Sequence, residues 1–312
     1  MTTAQSKRPL PGELADVRGW FPPLDQLIFG TLLDRQEEHG EPGDLLELGV
    51  FMGKSAIFLG HHLRDGDRFT VCDLFESDAP DAANNAETSR SYRMLTREAF
   101  ERNYLSFHDT LPRVLHGPSS MVPGEVEPRS CRFVHIDASH LYEHVRGDIA
   151  GAREILLPGG IVVLDDFRSE HTPGVALATW EAVLDGDLRP ICLTTQKLYA
   201  TWGDPEPLRK AMIALADSRT DCDVSVEEAA GHQLVRLKAR GMEPPPFARS
   251  RYYEEASAPE PAPEPAAARP SGRRRSTRSI ARGVAIDLLP PVVTRAVMRS
   301  RARRREAVAR KM

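Results

Sequence analysis

Three aspartates stand where two apolar runs end. Asp137 closes CRFVHID (131–137), and Asp165 and Asp166 sit near the end of GGIVVLDDF (159–167). Carboxylates converging from neighbouring strand ends repel one another unless a cation lies between them. All-oxygen ligation suits a hard ion such as Mg²⁺, which keeps several waters and can hold substrate oxygens. Asp137, Asp165 and Asp166 are therefore a candidate metal set. The alternative is that Asp165-Asp166 caps the following segment while Asp137 merely lines a pocket. His140, three residues past Asp137, carries an imidazole with the intrinsic pKa to take a hydroxyl proton near neutrality. Its other reading is a cap on the next helix, with His144 one turn along as a solvated partner. H-L-Y-E-H lacks a glutamate directly after its first histidine, which argues against a zinc helix. His135, inside the run, reads as core.

A second candidate site lies in LLELGVFMGKSAIFL (45–59). Leu45–Val50 reads as a strand, Gly49 and Gly53 allow a tight turn, and Lys54–His62 reads as a helix. Such a turn leaves backbone N–H groups at a helix N-terminus and lets a ligand approach the main chain closely. The spacing is G-x-x-x-G, so the dinucleotide fingerprint G-x-G-x-x-G is absent. Glu47 is a carboxylate in an otherwise apolar strand. It reads either as a strand-end salt bridge or as the acceptor for a cationic ligand group held over the turn.

These residues need elements to position them. Pro23–His39 has a helical apolar period that would pack on a sheet. Phe69–Phe75 is a second strand with Asp73 near its end, and Arg113–Gly117 a third, followed by the turn Pro118-Ser119-Ser120. Tyr92–Phe107 and Tyr142–Leu156 read as helices, the latter ended by Pro158-Gly159-Gly160. Glu76–Ser91 is a polar loop or lid, and Arg168–Trp180 a second covering segment in which His171 and Trp180 are either pocket or loop and core. RPICLTT and KLYATW would be antiparallel strands, Pro207–Ser218 a helix, and His232–Lys238 a late edge strand. Strands alternating with helices predict an α/β, Rossmann-like, doubly wound and mostly parallel sheet with helices on both faces and an antiparallel C-terminal edge. Ligands then bind beyond the strand carboxyl ends, where Glu47, Gly49, Asp73, Ser119, Ser120, Asp137, Asp165 and Asp166 would meet along a single rim.

The charge divides the chain. The net charge is −4, yet residues 256–312 hold 14 Lys+Arg against 4 Asp+Glu. The body is acidic, so a broad nucleic-acid surface on it is not expected. Residues 1–22 read as a flexible N-terminus, 23–255 as the folded domain, 256–272 as a Pro/Ala/Glu linker, and 273–312 as a basic, weakly amphipathic tail. That tail is either a solvated segment, an arm docking on an anionic membrane surface, or, last, a nucleic-acid arm. No N-terminal apolar region suggests a signal, and no run approaches a membrane span. Cys72, Cys131, Cys192 and Cys222 form no C-x-x-C pair, which fits reduced, buried thiols in cytoplasm. Association at the inner membrane face through the tail and a homo-oligomer are further expectations.

The motifs together resemble class I S-adenosylmethionine-dependent methyltransferases. ELGVFMGKS is similar to the first motif, E-x-G-x-x-x-G-x-S, of the catechol O-methyltransferase-like branch. HIDASHLYEHVRGDI followed by LLPGGIVVLDDF resembles sugar and natural-product O-methyltransferases of bacterial biosynthetic clusters, over about residues 25–203. The resemblance implies S-adenosylmethionine held by Glu47 at its ammonium, by Gly49, Gly53 and Ser55 under its methionine portion, and by Asp73 at both ribose hydroxyls. It places Ser119 and Ser120 beside the adenine, Asp137 in the cofactor pocket and at the metal with Asp165 and Asp166, and a base at His140. The implied reaction is metal-assisted methylation of a small-molecule or sugar hydroxyl. The alternatives are a metal-independent methyltransferase, a related enzyme of other chemistry, and a non-catalytic scaffold that delivers the basic tail.

Overall fold

The computed structural model describes residues 9–79 and 95–254. All of them belong to one unit, Met1–Glu255. Its centre is a nine-stranded sheet in the order β3-β2-β1-β4-β5-β7-β6-β9-β8. The strands are β1 (Asp44–Leu48), β2 (Phe69–Asp73), β3 (Arg113–His116), β4 (Cys131–Ile136), β5 (Leu156–Leu164), β6 (Arg189–Leu193), β7 (Leu198–Thr201), β8 (Cys222–Ala229) and β9 (His232–Ala239). β3, β2, β1, β4 and β5 run parallel, and β7 joins β5 antiparallel. The strand order reverses beside β1, and a doubly wound sheet opens its ligand crevice at such a point.

The helices are α1 (Pro23–Glu38), α2 (Lys54–His61), α3 (Arg97–Phe107), α4 (Val122–Glu125), α5 (Tyr142–Ile155), α6 (Pro173–Leu184) and α7 (Glu206–Asp217). α1 starts on Pro23, whose missing N–H costs nothing in a first turn. It lays Leu24, Ile28, Phe29, Leu32 and Leu33 on one sheet face. Phe29 meets Phe133 edge-on, with ring centroids 5.1 Å apart. The opposite face, with Leu46, Leu48, Cys72, Val134 and Leu164, packs under α5 and α6. Each fully buried large apolar side chain contributes about 1.5–3 kcal/mol. All four cysteines are buried and free. Among the described residues no helix is long and apolar enough to cross a membrane.

Three expectations fail, and one open alternative is decided. Pro158-Gly159-Gly160 does not separate α5 from β5. The strand begins at Leu156, pairs with Cys131, and re-engages at Ile161 opposite Phe133, so these residues bulge out of a continuing strand. His232–Ala239 is not an edge, because β8 pairs with it along its whole length and takes the edge itself. Trp180, of the two readings given, takes the core one: it is partly buried and packs on Phe167 at 5.8 Å. Residues 9–22 are not loose from Leu14 onward, since Leu14, Val17 and Phe21 join the core under α1. Most of the expected lid (80–91), the start of the expected third helix (92–94), and the linker and basic tail lie outside the described residues.

Candidate functional site

The crevice is a cavity of about 870 Å³ over the carboxyl ends of the parallel strands. Its floor is the turn between β1 and α2. Gly49 has φ +80°, and a Cβ there would come within 2.0 Å of the Asp137 carbonyl oxygen, so glycine is required for β1 and β4 to close on one another. Gly53 caps α2 at φ +92°, a left-handed position. Asp73, at the end of β2, braces this turn. Its Oδ2 accepts from the N–H of Val50 at 2.7 Å and of Phe51 at 3.1 Å, and its Oδ1 from Phe75 N–H at 2.7 Å. Burial pushes the Asp73 carboxyl up, and those three backbone donors pull it back.

The cavity wall gathers Gly49, Asp73, Ser119, Ser120, Asp137, His140, Asp165 and Asp166. Glu47, Gly53 and Ser55 are not in that wall. Glu47 departs from the expected rim for a geometric reason. Leu46 and Leu48 face the cavity side of β1, so the residue between them points to the other face. There Glu47 is fully buried, and its Oε1 lies 2.8 Å from Nδ1 of His135, its register partner on β4. The contact found is a hydrogen bond to a neighbouring strand, where the sequence offered a strand-end salt bridge or a ligand acceptor.

The three aspartates divide into two groups. Among the described residues, the atoms that could hold a metal and lie within 4.8 Å of one another come from His135, Asp137 and Asp165, not from Asp166. The space is already charged. The Lys197 ammonium, 1 % exposed, pairs with Asp165 Oδ2 and lies 3.5 Å from His135 Nε2. Burial lowers the Lys197 pKa, with Asp137, Asp25 and Glu47 holding it up. Asp137 is raised by burial, against the pull of Lys197 and then His135. This donor set, with an ammonium at its centre, does not fit a resident Mg²⁺.

Asp166 turns the other way. It sits at φ +56°, an uncommon value for a residue with a Cβ, and accepts from Ser169 Oγ at 2.7 Å. His140 Nε2 is 3.4 Å from Asp166 Oδ2, and its hydrogen bond, ahead of that from Ser169, holds the Asp166 carboxyl below the usual range. His140 therefore does not cap α5. Ser139 serves the start of that helix, and His144 Nδ1 bonds Ser139 Oγ at 2.9 Å. His171 meets His140 with rings 6.0 Å apart and stands in the cavity wall.

Sequence reasoning missed Lys197, His135 and Asp148. Lys197 is the lone cation at the head of an apolar strand. The equal register of Glu47 and His135 is invisible until β1 and β4 are paired. Asp148 lies on α5 facing the cavity, 6 % exposed, and burial pushes it up to about 6.

Residues 46–167 match a family model described as a methyltransferase domain. The chain is similar to methyltransferase domains over that stretch. Its strand order and glycine turn agree with that match. Similar solved structures include the O-methyltransferase NovP, with 21 % identity over 58 % of this chain and 81 % of that one at a TM-score of 0.48. CalS11, a TDP-rhamnose 3'-O-methyltransferase of calicheamicin biosynthesis, shares 20 % identity over 59 % and 82 % of the chains at a TM-score of 0.41. TomG from Streptomyces achromogenes, an O-methyltransferase of tomaymycin synthesis in complex with SAM, shares 18 % over 66 % and 76 % at 0.30. No curated protein matches this chain.

Proposed function

We infer that the domain methylates a hydroxyl group of a small-molecule or sugar acceptor, with His140 as the base. The observation that carries this reading is the His140–Asp166 pair in the wall of the cavity that the Gly49 turn and Asp73 also open on. S-adenosylmethionine supplies a methyl group already activated on a sulfonium, which leaves the protein alignment and proton removal. The methionine portion would lie against the Gly49 turn, with Asp137 beside it in the cavity wall. Asp73 would accept from the ribose, each of its oxygens keeping capacity beyond the backbone bonds it makes. Ser119 and Ser120 would flank the adenine. Gly53 and Ser55 would act through the turn and the first turn of α2, not by lining the cavity.

Asp166 would orient the imidazole and stabilise its protonated form. The imidazole would then take the acceptor proton as the methyl group transfers. A competing reading keeps Mg²⁺ on Asp137, Asp165 and Asp166. Only Asp137 and Asp165 of that set fall, with His135, in the 4.8 Å cluster, and no step here depends on it. The folded enzyme would span 23–255, with 256–272 as linker. The positive charge of 273–312 supports, on charge alone, docking at the anionic inner membrane face of the cytoplasm. A homo-oligomer has no observation in its favour.

The test is methyl transfer from labelled S-adenosylmethionine to a panel of sugar nucleotides, catechols and glycosylated aromatics. His140→Ala should cost about a hundredfold or more in kcat while cofactor binding persists. Wild-type turnover in that variant removes the base. An absence of cofactor binding by the wild type removes the function.

A further inference from the structure

The buried lysine has a consequence for the whole acid cluster. Glu47, His135, Asp165 and Lys197 are all at most 9 % exposed, and they form a chain across β1, β4, β5 and β7. Glu47 holds His135 Nδ1 at 2.8 Å. His135 Nε2 then faces Asp165 Oδ2 at 3.7 Å and Lys197 Nζ at 3.5 Å. Lys197 closes the chain on Asp165. The ammonium is 1 % exposed with acids around it, so it cannot leave the cluster without a buried carboxylate losing its partner. A divalent ion ligated by His135, Asp137 and Asp165 would have to share that space with a fixed positive charge.

We propose that Lys197 is the resident cation of this cluster, standing where a divalent metal would otherwise sit between Asp137 and Asp165, so that the enzyme works without one. The role rests on the methyltransferase reading for its meaning, but its test does not use turnover. Lys197 positions Asp165 and compensates Asp137; it is not assigned a contact with substrate. The same geometry accounts for the division of the aspartate pair, because Asp165 is committed to the lysine and only Asp166 is left to orient His140.

The experiment is titration of Mn²⁺ into the full-length protein, followed by electron paramagnetic resonance of the free ion, with and without S-adenosylhomocysteine. The wild type should bind no stoichiometric Mn²⁺ in the micromolar range. Lys197→Met, which removes the charge and keeps the bulk, should gain one site at least tenfold tighter than any site in the wild type. Lys197→Met with Asp165→Asn should lose that gain, and Lys197→Arg should behave as the wild type. One micromolar Mn²⁺ site in the wild type overturns the proposal, as does a folded Lys197→Met that binds no better. If Lys197→Met fails to fold, the wild-type and Lys197→Arg titrations decide: binding by either overturns the proposal, and binding by neither supports it. Failure of the methyltransferase reading appears separately, as absence of S-adenosylhomocysteine binding in calorimetry.

Discussion

Asp165 and Asp166 are neighbours in the chain and opposites in environment. Asp165 is 9 % exposed and ion-paired to a buried lysine. Asp166 is half-buried, in a left-handed backbone conformation, and hydrogen-bonded to a hydroxyl and an imidazole at the cavity wall. A carboxylate ion-paired to its own buried cation is fixed in charge and position, which suits architecture. A carboxylate beside an imidazole that reaches the cavity can stabilise a change of charge, which suits chemistry. One peptide bond separates the two roles.

Substitution should separate them, and the largest effect belongs to the sealed side. Asp165→Ala strands the Lys197 ammonium in the interior and should cost about 3–5 kcal/mol in urea unfolding. An unchanged midpoint would mean that the pair is not closed in solution. On the open side, His140→Ala should lower kcat by about a hundredfold to ten-thousandfold with an unfolding midpoint close to wild type. Equal losses of stability in both variants would erase the distinction.

A third carboxylate sharpens it. Asp148 is as buried as Asp165, and its pKa is raised from 3.8 to about 6 by burial, against a hydrogen bond from Ser119 and then the nearby His144. Between those values the unfolded chain has released this proton and the folded chain still holds it. Stability from this group is therefore present below pH about 4 and declines as pH rises to about 6, by up to about 3 kcal/mol. Asp148→Asn should lack that decline, as seen by unfolding at pH 4.5 and 7 for both proteins. Parallel curves would show that the side chain is solvated. The smallest effect is at Asp166, whose pKa is depressed through His140 and Ser169. Its contribution is present above the ordinary carboxylate range and lost as pH falls through its lowered folded value. Asp166→Asn should remove a shallow acid-side loss and leave neutral stability within about 1 kcal/mol.

Much of this arrangement was legible in the residues. The apolar runs ending in Asp73, Asp137 and Asp165-Asp166 gave the parallel half of the sheet, because a buried parallel strand is nearly uniform in character. The antiparallel half was harder to read. β8, DVSVEEA after Cys222, is largely exposed and polar, so it carries little of the alternation that marks a strand. The bulge at Pro158-Gly159-Gly160 looks like a helix stop in sequence, and only pairing with β4 shows that the strand continues. Facing was the weak point in the site. Glu47 belongs to the α1 side because Leu46 and Leu48 belong to the other, a parity that outweighs its place in the motif. Lys197 could be seen as a charge heading an apolar strand, but its partner is fixed by the β5–β7 register and not by spacing.

The most direct measurement is calorimetric titration of S-adenosylhomocysteine into the full-length protein, its Asp73→Ala variant and its Glu47→Gln variant. The account predicts one site in the wild type, at least tenfold weaker binding in Asp73→Ala, and little change in Glu47→Gln, whose side chain faces away from the cavity. No binding by the wild type, or a loss confined to Glu47→Gln, would contradict it.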